Sequence, residues 1–493
     1  MPTPANADPS AARIDAHPRV IALILAIVIF MEHVDSSALG TALPAMARDF
    51  GVAPLRLSVV LTAYLLSLAI FIPVSGIIAD RLGSRTVFRF AIVLFTTGSI
   101  MCSLATDLWV LVLARIIQGM GGAMMVPVGR LVLMRSVTKS EFVAMMGWVL
   151  VPAMIGPVVG PLIGGFLVDF YNWRWIFYVN VPLGLLGIVL STLFVPQIKS
   201  ETKRKFDILG SVLSGLCLAS LLFVLDSVRG ANVPFILVAL ASLLCIGTGW
   251  AYWRHAMKHP WPVLDLRLLE IRSMYVACTA GLLFRMSFGA FPFLLPLMLQ
   301  LGFGVSALES GATTFVAALG SMLVKAAAKP VLQRVGYRNL LIWNGLLVVA
   351  YIVTTAFIRP EWPIVLIYAI LLVGGSARAL QFTAFGTLCY SDIPPEKSAA
   401  AIGLHSTMQQ FSVTLGVATT AMVLGVITAI AGHDAPQLSD FTTAFLVVAA
   451  ISLLAVPLTL SLDENAGAEF SGRKIAPRQT GDDEAQAEAE AAR

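Results

Sequence analysis

The sequence predicts an all-α integral membrane protein with about fourteen transmembrane helices, arranged as two six-helix bundles with two inserted helices. First, 58% of the 493 residues are apolar and only 12% are charged, with a mean hydropathy of +0.86. A soluble protein of this length carries roughly 25% charged residues to cover its surface. Second, apolar runs of helical membrane-spanning length recur along the chain. Third, one short loop motif occurs twice, at corresponding places in the two halves.

The elements follow from the apolar runs. The first, 20–41, is too long for a signal-peptide core and lacks a small-residue cleavage site, so we expect it to be retained as helix 1. A chain in hydrocarbon must satisfy its own backbone hydrogen bonds, which roughly 20 apolar residues achieve as a helix. The next runs, giving helices 2–8, lie at 57–79, 87–105, 109–134, 142–168, 175–196, 208–228 and 233–253. The last six, giving helices 9–14, lie at 273–300, 306–328, 339–357, 363–390, 399–430 and 442–461.

The repeated loop motif predicts the domain organisation. Residues 80–85 follow helix 2 and residues 333–338 follow helix 10, and both read polar-Arg-aliphatic-Gly-x-Arg. Each follows the second helix of a six-helix block, so the blocks are predicted to be related bundles. The predicted units are a first bundle at 1–198, a linker with two helices at 199–272 and a second bundle at 273–461. The Ala/Glu-rich tail, 462–493, is predicted to be disordered.

The distribution of basic residues predicts the orientation. If the N-terminus is cytoplasmic, few of the 33 Lys and Arg residues fall in external loops. Those few are Arg48, Arg56, Arg174, Arg229 and Arg359. This positive-inside bias predicts a multi-pass protein of a bacterial-type inner membrane with both termini in the cytoplasm.

Charged residues inside the predicted helices are the sharpest functional signal. Each costs roughly 2.5–3.5 kcal/mol at a helix centre, so it persists only with a partner or an aqueous cavity. They are Glu32 and Asp35 in helix 1, Arg115 in helix 4, Arg285 in helix 9, Lys325 in helix 10 and Arg378 in helix 12. Helices 1, 4, 9 and 12 occupy equivalent places in the two blocks, so we expect them to line a central cavity. Buried ion pairs that lock the bundles are the alternative, and Lys325 can extend to the cytoplasmic surface.

These positions suggest separate roles. Glu32 and Asp35 lie one helical turn apart, and because two desolvated carboxylates repel each other, the pair favours holding a proton. We expect Asp35, assisted by Glu32 and biased by Arg115, to couple transport to proton movement. Arg285, Arg378 and Gln118 are predicted to line the substrate cavity.

Two further motifs lie outside this set. The first is a predicted cytoplasmic gate after helix 2, where Gly83 permits a tight turn. The gate residues are Gly76, Asp80, Arg81, Gly83 and Arg85. The second is a helix 5 motif whose glycines are spaced to form a smooth stripe against another helix, with prolines that favour a bend. Its residues are Gly147, Gly156, Gly160, Pro161, Gly164 and Gly165.

These residues resemble the major facilitator superfamily, and within it the fourteen-helix drug:proton antiporter branch. Gly76–Arg85 is similar to the superfamily's signature after helix 2, with Ser84 where a basic residue is usual, and Leu113–Gly119 is similar to its helix 4 motif. The helix 5 glycines match the antiporter motif at every glycine. Asp35 with Ala42–Pro44 resembles the branch's helix 1 motif, and Trp173–Phe177 with Asn180–Pro182 resembles its start of helix 6.

The resemblance implies the major facilitator fold and export of small amphipathic drugs in exchange for protons by alternating access, with Arg115 taking part in proton coupling. Because the helices carry four bases against two acids, an exporter of organic anions or zwitterions is the alternative. A receptor or scaffold is disfavoured. No nucleophile–base set, metal cluster or phosphate loop is evident, so we expect no enzyme activity, cofactor, metal or ATP. The expected partners are a small substrate, protons and lipid, without nucleic acid, around a monomeric transport unit.

Overall fold

The structure is a computed structural model that describes residues 18–136, 139–197, 207–227, 233–394 and 397–468. Within these residues the secondary structure is helical and contains no strand. In this part of the chain, thirteen helices are each long and apolar enough to cross a membrane, and two helices that meet at a bend of 50° together have the length and composition of a fourteenth span. The predicted all-α membrane class with fourteen spans is confirmed.

We label the spans α1 to α14 in chain order. The first bundle consists of α1 (Pro18–Phe50), α2 (Ser58–Leu82), α3 (Ser84–Ser103), α4 (Leu108–Ser136), α5 (Lys139–Phe170) and α6 (Trp175–Phe194). The inserted helices are α7 (Ile208–Ser227) and α8 (Phe235–Lys258). The second bundle consists of α9 (Arg272–Gly302), α10 (Ala307–Leu323 and Lys325–Val335), α11 (Tyr337–Ala356), α12 (Ile364–Leu388), α13 (Ser398–Ile430) and α14 (Leu438–Thr459).

Helix packing repeats between the two halves. In the first bundle α1 packs against α5, both α2 and α3 pack against α4, and α6 packs against α3 and α1. In the second bundle α9 packs against α13, both α10 and α11 pack against α12, and α14 packs against α11 and α9. Each pairing therefore has a counterpart eight spans later. The domain limits stay a prediction, as does the disordered tail, whose residues 469–493 lie outside the described chain.

The repeated loop motif forms the same turn in both halves. Gly83 is the single residue between α2 and α3, and Gly336 is the single residue between α10 and α11. Their φ angles are +92° and +79°, in the region that residues with a Cβ rarely adopt. The tight turn predicted at Gly83 is confirmed, and its counterpart at Gly336 gives the sequence repeat a structural basis.

The two bundles meet mainly through α5 with α10 and α2 with α13. We name the membrane faces by their residues: the Gly83 face holds the turns at Gly83 and Gly336, and the Asp169 face holds the C-terminal end of α5. At the Asp169 face, the Asp169 carboxylate accepts hydrogen bonds from the backbone N–H groups of Ala307 (3.3 Å) and Leu308 (2.7 Å). Gln300 Nε2 donates to the Thr41 carbonyl at 2.9 Å. The bundles are therefore joined at this face.

Toward the Gly83 face the packing is looser. Gly76, Gly147, Gly386 and Gly403, in the halves of α2, α5, α12 and α13 nearer that face, have no neighbouring heavy atom within 4 Å of the position a Cβ would take. In the other halves of their spans, Gly40, Gly165 and Gly311 are in close contact with the opposite bundle. The structure is thus closed at the Asp169 face and more open toward the Gly83 face.

The inserted helices attach beside the seam between the bundles. α7 packs against α8 and also contacts α2 and α13, one helix from each bundle. α8 keeps most of its large apolar side chains exposed, including Phe235 (85%) and Ile246 (71%). An apolar surface of this extent suits contact with lipid.

Candidate functional site

The centre of the first bundle holds a buried ion pair. Arg115 Nη1 of α4 lies 2.6 Å from Asp35 Oδ2 of α1, and neither side chain is exposed. The other carboxylate oxygen, Oδ1, accepts hydrogen bonds from Gln118 Nε2 at 2.9 Å and from Asn180 Nδ2 at 2.6 Å. Asp35 is therefore held by three side chains from α4 and α6.

Local sequence explains this convergence. Arg115 and Gln118 lie one turn apart on α4, so both side chains face α1, and Arg115 Nη1 also donates to Gln118 Oε1 at 2.6 Å. Ser99 of α3 accepts from Gln118 Nε2 at 2.8 Å and from Asn180 Nδ2 at 3.3 Å. Four helices of the first bundle thus supply one hydrogen-bonded network, which we call the Asp35 network: Asp35, Ser99, Arg115, Gln118 and Asn180.

The Asp35 network corrects one predicted role. Gln118 is predicted from the sequence to line the substrate cavity, but its side chain is fully buried and its amide is bonded to Asp35 and Ser99. The physical reason is its position: one turn from Arg115, it completes the hydrogen bonds of the buried carboxylate instead of facing an opening. Ser99 was missed, and its available signal was a polar residue within an apolar run. Asn180 was named only in the helix 6 resemblance, without a role at Asp35.

Tyr64 links the network to the second acid. Its hydroxyl lies 3.4 Å from Glu32 Oε1, and its ring lies 4.3 Å from the Arg115 guanidinium carbon. Glu32 is 8% exposed, and its Oε2 has no hydrogen-bond partner within the described residues. Glu32 therefore has fewer hydrogen bonds than Asp35, which lies one turn further along the same helix, and Tyr64 contacts both Glu32 and the arginine that pairs with Asp35.

An ion pair in this environment is weak evidence for stability. Desolvating both charges offsets much of their attraction, although removing one partner of a buried pair costs about 3–5 kcal/mol. Nε and Nη2 of Arg115 have no hydrogen-bond partner within the described residues. Both carboxylate oxygens of Asp35 therefore have hydrogen-bond donors, whereas Arg115 retains donors without acceptors.

The charged residues of the second bundle form a separate arrangement. Arg285 of α9 is fully buried, and its Nη2 lies 3.3 Å from His405 Nε2 of α13. Arg378 of α12 is 8% exposed and donates from Nη2 to the Ser287 carbonyl at 3.3 Å. Among the described residues, no ion pair or hydrogen bond joins the charged residues of α1 and α4 to those of α9 and α12, so the expectation of one cavity lined by all four helices stays a prediction.

The predicted gate residues lie together at the Gly83 face. The turn at Gly83 is clamped by Gln197, which follows α6: its Nε2 donates to the Leu82 carbonyl (3.3 Å) and to Thr86 Oγ1 (2.9 Å). Asp80, Arg81 and Arg85 surround this turn and are partly or fully exposed. Gln197 was not predicted, and a glutamine in a loop gives no sequence signal for a contact 111 residues away.

The helix 5 glycines pack α5 against two partners. A Cβ on Gly156 would lie 2.7 Å from His33 Cβ, and one on Gly164 would lie 2.6 Å from the Ala38 carbonyl oxygen, so this stripe lies on α1. Gly160 lies between them against Val34 and Ser37. The predicted close approach of another helix is confirmed.

A second contact of the same motif crosses between the bundles. A Cβ on Gly165 would lie 2.8 Å from the Ala307 carbonyl carbon of α10, and Gly311 of α10 packs on the Pro161 carbonyl. Gly147, by contrast, faces open space. The motif therefore serves both the core of the first bundle and its junction with the second.

A further polar cluster joins the inserted helices near the Gly83 face. His255 Nε2 lies 2.7 Å from Asp207 Oδ1, and His259 lies within the same group, with ligand-type atoms within 4.8 Å of one another. Burial raises the pKa of Asp207, but the N–H groups of Gly210 and Val263 and the His255 ring outweigh it and lower that pKa. The contact clamps α7 to α8, and the expectation of no metal site stays a prediction.

Comparisons with known proteins agree on one class. A family model described as Major Facilitator Superfamily matches residues 25–417. A protein named putative multidrug resistance protein MdtD from Pectobacterium atrosepticum is 36% identical over 438 residues, covering 88% of this chain and 93% of that relative. One of the same name from Serratia proteamaculans is 37% identical, covering 82% and 84%.

Solved structures share the fold. An inward-facing, occupied bacterial homologue of the lysosomal transporter Spinster superposes with a TM-score of 0.64 at 13% identity, covering 93% of this chain and 98% of that one. The nucleoside transporter NupG gives a TM-score of 0.58 at 15% identity, covering 90% of this chain and 98% of that one.

Fold, buried charges and relatives together define a multi-pass inner-membrane transporter, which is not an enzyme. The chain belongs to the major facilitator superfamily. Its fourteen spans, twofold repeat and helix 5 glycine motif agree with the resemblance seen in the sequence.

Proposed function

We propose that this protein exports small amphipathic compounds across the inner membrane in exchange for protons, by alternating access. The observation that carries the proposal is the Asp35 network: a fully buried carboxylate bonded to Arg115, Gln118 and Asn180 in the middle of a membrane-spanning bundle. A buried ionisable group at this depth is costly, and it is retained where a proton or substrate pathway requires it. The relatives named as multidrug resistance proteins support export of several compounds.

Protonation of Asp35 is the proposed switch. Ionised, the carboxylate pairs with Arg115 and accepts from two amides. Protonated, it no longer balances the guanidinium charge, so the attraction between α1 and α4 weakens and Arg115 is free to reorient. Formation and loss of this ion pair are the local event that shifts the equilibrium between the two conformations.

Glu32 and Tyr64 provide the proposed path to Asp35. Glu32 is slightly exposed, and the Tyr64 hydroxyl lies beside it while the Tyr64 ring contacts Arg115. A proton taken up by Glu32 would lower the negative charge near Asp35 and weaken the hydrogen bond that the Tyr64 hydroxyl donates to Glu32. Glu32 therefore assists Asp35, which remains the coupling residue because it alone pairs directly with Arg115.

The two faces take opposite parts in the proposed cycle. We take the Gly83 face as cytoplasmic, with both termini there, because the basic residues concentrate on that side. Contacts between α5 and α10 and the cap of Asp169 on α10 support a state closed to the outside. In the opposite state, Asp80, Arg81 and Arg85 would close the cytoplasmic side around the Gly83 turn.

Reconstituted transport tests the proposal. In proteoliposomes with an imposed pH gradient, we expect Asp35→Asn to reduce gradient-driven transport of ethidium or 2-naphthoate to the level of empty liposomes. Glu464→Gln is the matched control, because Glu464 also pairs with an arginine, Arg338 at 3.0 Å, but is 82% exposed. Transport by Asp35→Asn at the rate of the control would remove Asp35 from the mechanism.

A further inference from the structure

Two arginines in the second bundle lack the acid partner that Arg115 has. Arg285 and Arg378 are both buried, and within the described residues no carboxylate forms an ion pair with either. Each makes a contact to a backbone carbonyl, of Ala277 and of Ser287 respectively, both at 3.3 Å. The Nε atoms of both are buried without a partner in the described part of the chain. A guanidinium offers donors only, so these two Nε atoms lack an acceptor.

His405 adds another unsatisfied donor beside Arg285. Arg285 Nη2 lies 3.3 Å from His405 Nε2. Because the guanidinium can only donate, Nε2 must accept, so the ring is neutral and carries its proton on Nδ1. His405 Nδ1 is also buried without a partner within the described residues. Two donors from two helices, α9 and α13, are therefore left without acceptors at one contact.

Aromatic rings interleave with the two arginines. The Arg285 guanidinium carbon of α9 lies 5.4 Å from the ring centre of Phe382 on α12. The Arg378 guanidinium carbon of α12 lies 4.5 Å from the ring centre of Phe288 on α9. The two rings contact each other with centres 4.7 Å apart, and both are only partly buried. An accessible aromatic surface thus lies between the two cations.

A lock made by side chains alone does not account for this arrangement. Ring faces attract a guanidinium, but they accept no hydrogen bond from Nε or from the imidazole Nδ1–H. Where this chain fixes a buried arginine, at Arg115, it supplies a carboxylate. A ligand with anionic oxygens and a flat apolar part would satisfy both the donors and the rings.

We propose that the second bundle holds a binding site for an aromatic or amphipathic organic carboxylate between α9, α12 and α13. The carboxylate accepts hydrogen bonds from Arg285 and His405, the apolar part lies against Phe288 and Phe382, and Arg378 adds positive charge behind the rings. The inference rests on the proposed transport function, of which it names the substrate class.

Binding of 2-naphthoate to the purified full-length transporter tests the site without a pH gradient. By equilibrium dialysis, the wild type should bind 2-naphthoate at least tenfold more tightly than neutral 2-naphthamide, about the ratio that a charge-assisted hydrogen bond gives. Arg285→Gln and Arg378→Gln should each remove most of that preference while leaving naphthamide binding unchanged. Arg254→Gln is the control, because Arg254 also stacks on an aromatic ring, Trp250 at 4.8 Å, but on the inserted helix α8.

The outcomes separate the site from the coupling mechanism. Equal binding of naphthoate and naphthamide to the wild type would overturn the site, and this comparison decides even if a glutamine variant does not fold. Naphthoate binding by both glutamine variants at wild-type strength would also overturn it. Asp35→Asn should still bind naphthoate, and loss of transport in that variant with binding intact supports the site. If the wild type binds naphthoate but a pH gradient does not drive its transport, only the proposed antiport is contradicted.

Discussion

Asp35 shows what the sequence could and could not predict at the scale of single residues. A lone acid in an apolar helix signals function because its burial is costly, and Arg115 carries the same signal. Their 2.6 Å contact joins residues 80 positions apart, which no local pattern predicts. Asn180 and Ser99 complete the site, but polar uncharged residues cost less to bury and so stand out less. Arg285 and Phe288 lie one turn apart on α9, and the ring contacts that join them to α12 became visible only in the structure.

Asn180 provides a prediction at this scale. Its amide donates to Asp35 Oδ1 at 2.6 Å, a bond worth about 1.5–3 kcal/mol to the ionised carboxylate. Asn180→Leu removes that bond and leaves the ionised carboxylate less stabilised relative to its protonated form, so the pH of half-maximal transport should rise. The pH profile of transport in proteoliposomes measures this.

The matched control is Asn344→Leu. Asn344 is a buried asparagine of the second bundle that donates to Gln381 Oε1 at 2.8 Å and makes no hydrogen bond to an acid among the described residues. Its pH profile should coincide with that of the wild type at any level of expression. A profile of Asn180→Leu that also coincides with the wild type would show that Asn180 does not tune Asp35.

At the scale of helices, the sequence predicted the packing of the α5 glycine motif most clearly. Spacing alone predicted a smooth stripe, and Gly156, Gly160 and Gly164 do lie on α1. Spacing could not reveal that Gly165, one residue further, faces α10 of the other bundle, because adjacent residues on a helix point about 100° apart. It also could not separate packed glycines from Gly147, which has open space beside it.

Two members of this motif give opposite predictions. Gly164→Leu would drive a side chain into the Ala38 carbonyl, 2.6 Å from a Cβ, and into Thr41, so it should destabilise the fold by about 1–3 kcal/mol or more. Gly147→Leu has space for its side chain, so it should leave the stability of the fold unchanged. Thermal unfolding of the detergent-purified variants distinguishes them. An unchanged melting temperature for Gly164→Leu would contradict the packing described for α5 and α1.

At the scale of the whole molecule, the bundles are held together at one face. The fourteen spans and their twofold repeat could be predicted from hydropathy and one loop motif, because a helix that crosses a membrane must be an apolar run in the sequence. The face at which the bundles are closed could not be predicted, because closure depends on contacts between the bundles, such as that of Asp169 with the N-terminus of α10. The same dependence explains why the sequence alone could not place the charges of the four equivalent helices. Asp35 pairs with Arg115 inside the first bundle, whereas Arg285 and Arg378 of the second bundle have no acid partner among the described residues.

Asp169 carries the prediction at this scale. It caps a helix of the opposite bundle, so Asp169→Asn should weaken closure at its face and shift the population toward the state open there. Labelling of a buried Thr41→Cys by a membrane-impermeant maleimide added at the Asp169 face should then increase several-fold. Asp107→Asn is the control, because Asp107 caps the start of α4 within its own bundle, through the Trp109 and Val110 N–H groups. Equal labelling in the two backgrounds would contradict a latch at Asp169.

The most direct test of proton exchange is proton release on substrate binding. Detergent-purified transporter in weakly buffered solution, with a pH indicator, is mixed with whichever of ethidium and 2-naphthoate the wild type transports. If substrate and proton compete through Asp35, the wild type and Glu464→Gln should release protons on binding and Asp35→Asn should release none. Proton release by Asp35→Asn equal to that of the wild type would contradict the assignment of Asp35 as the coupling residue.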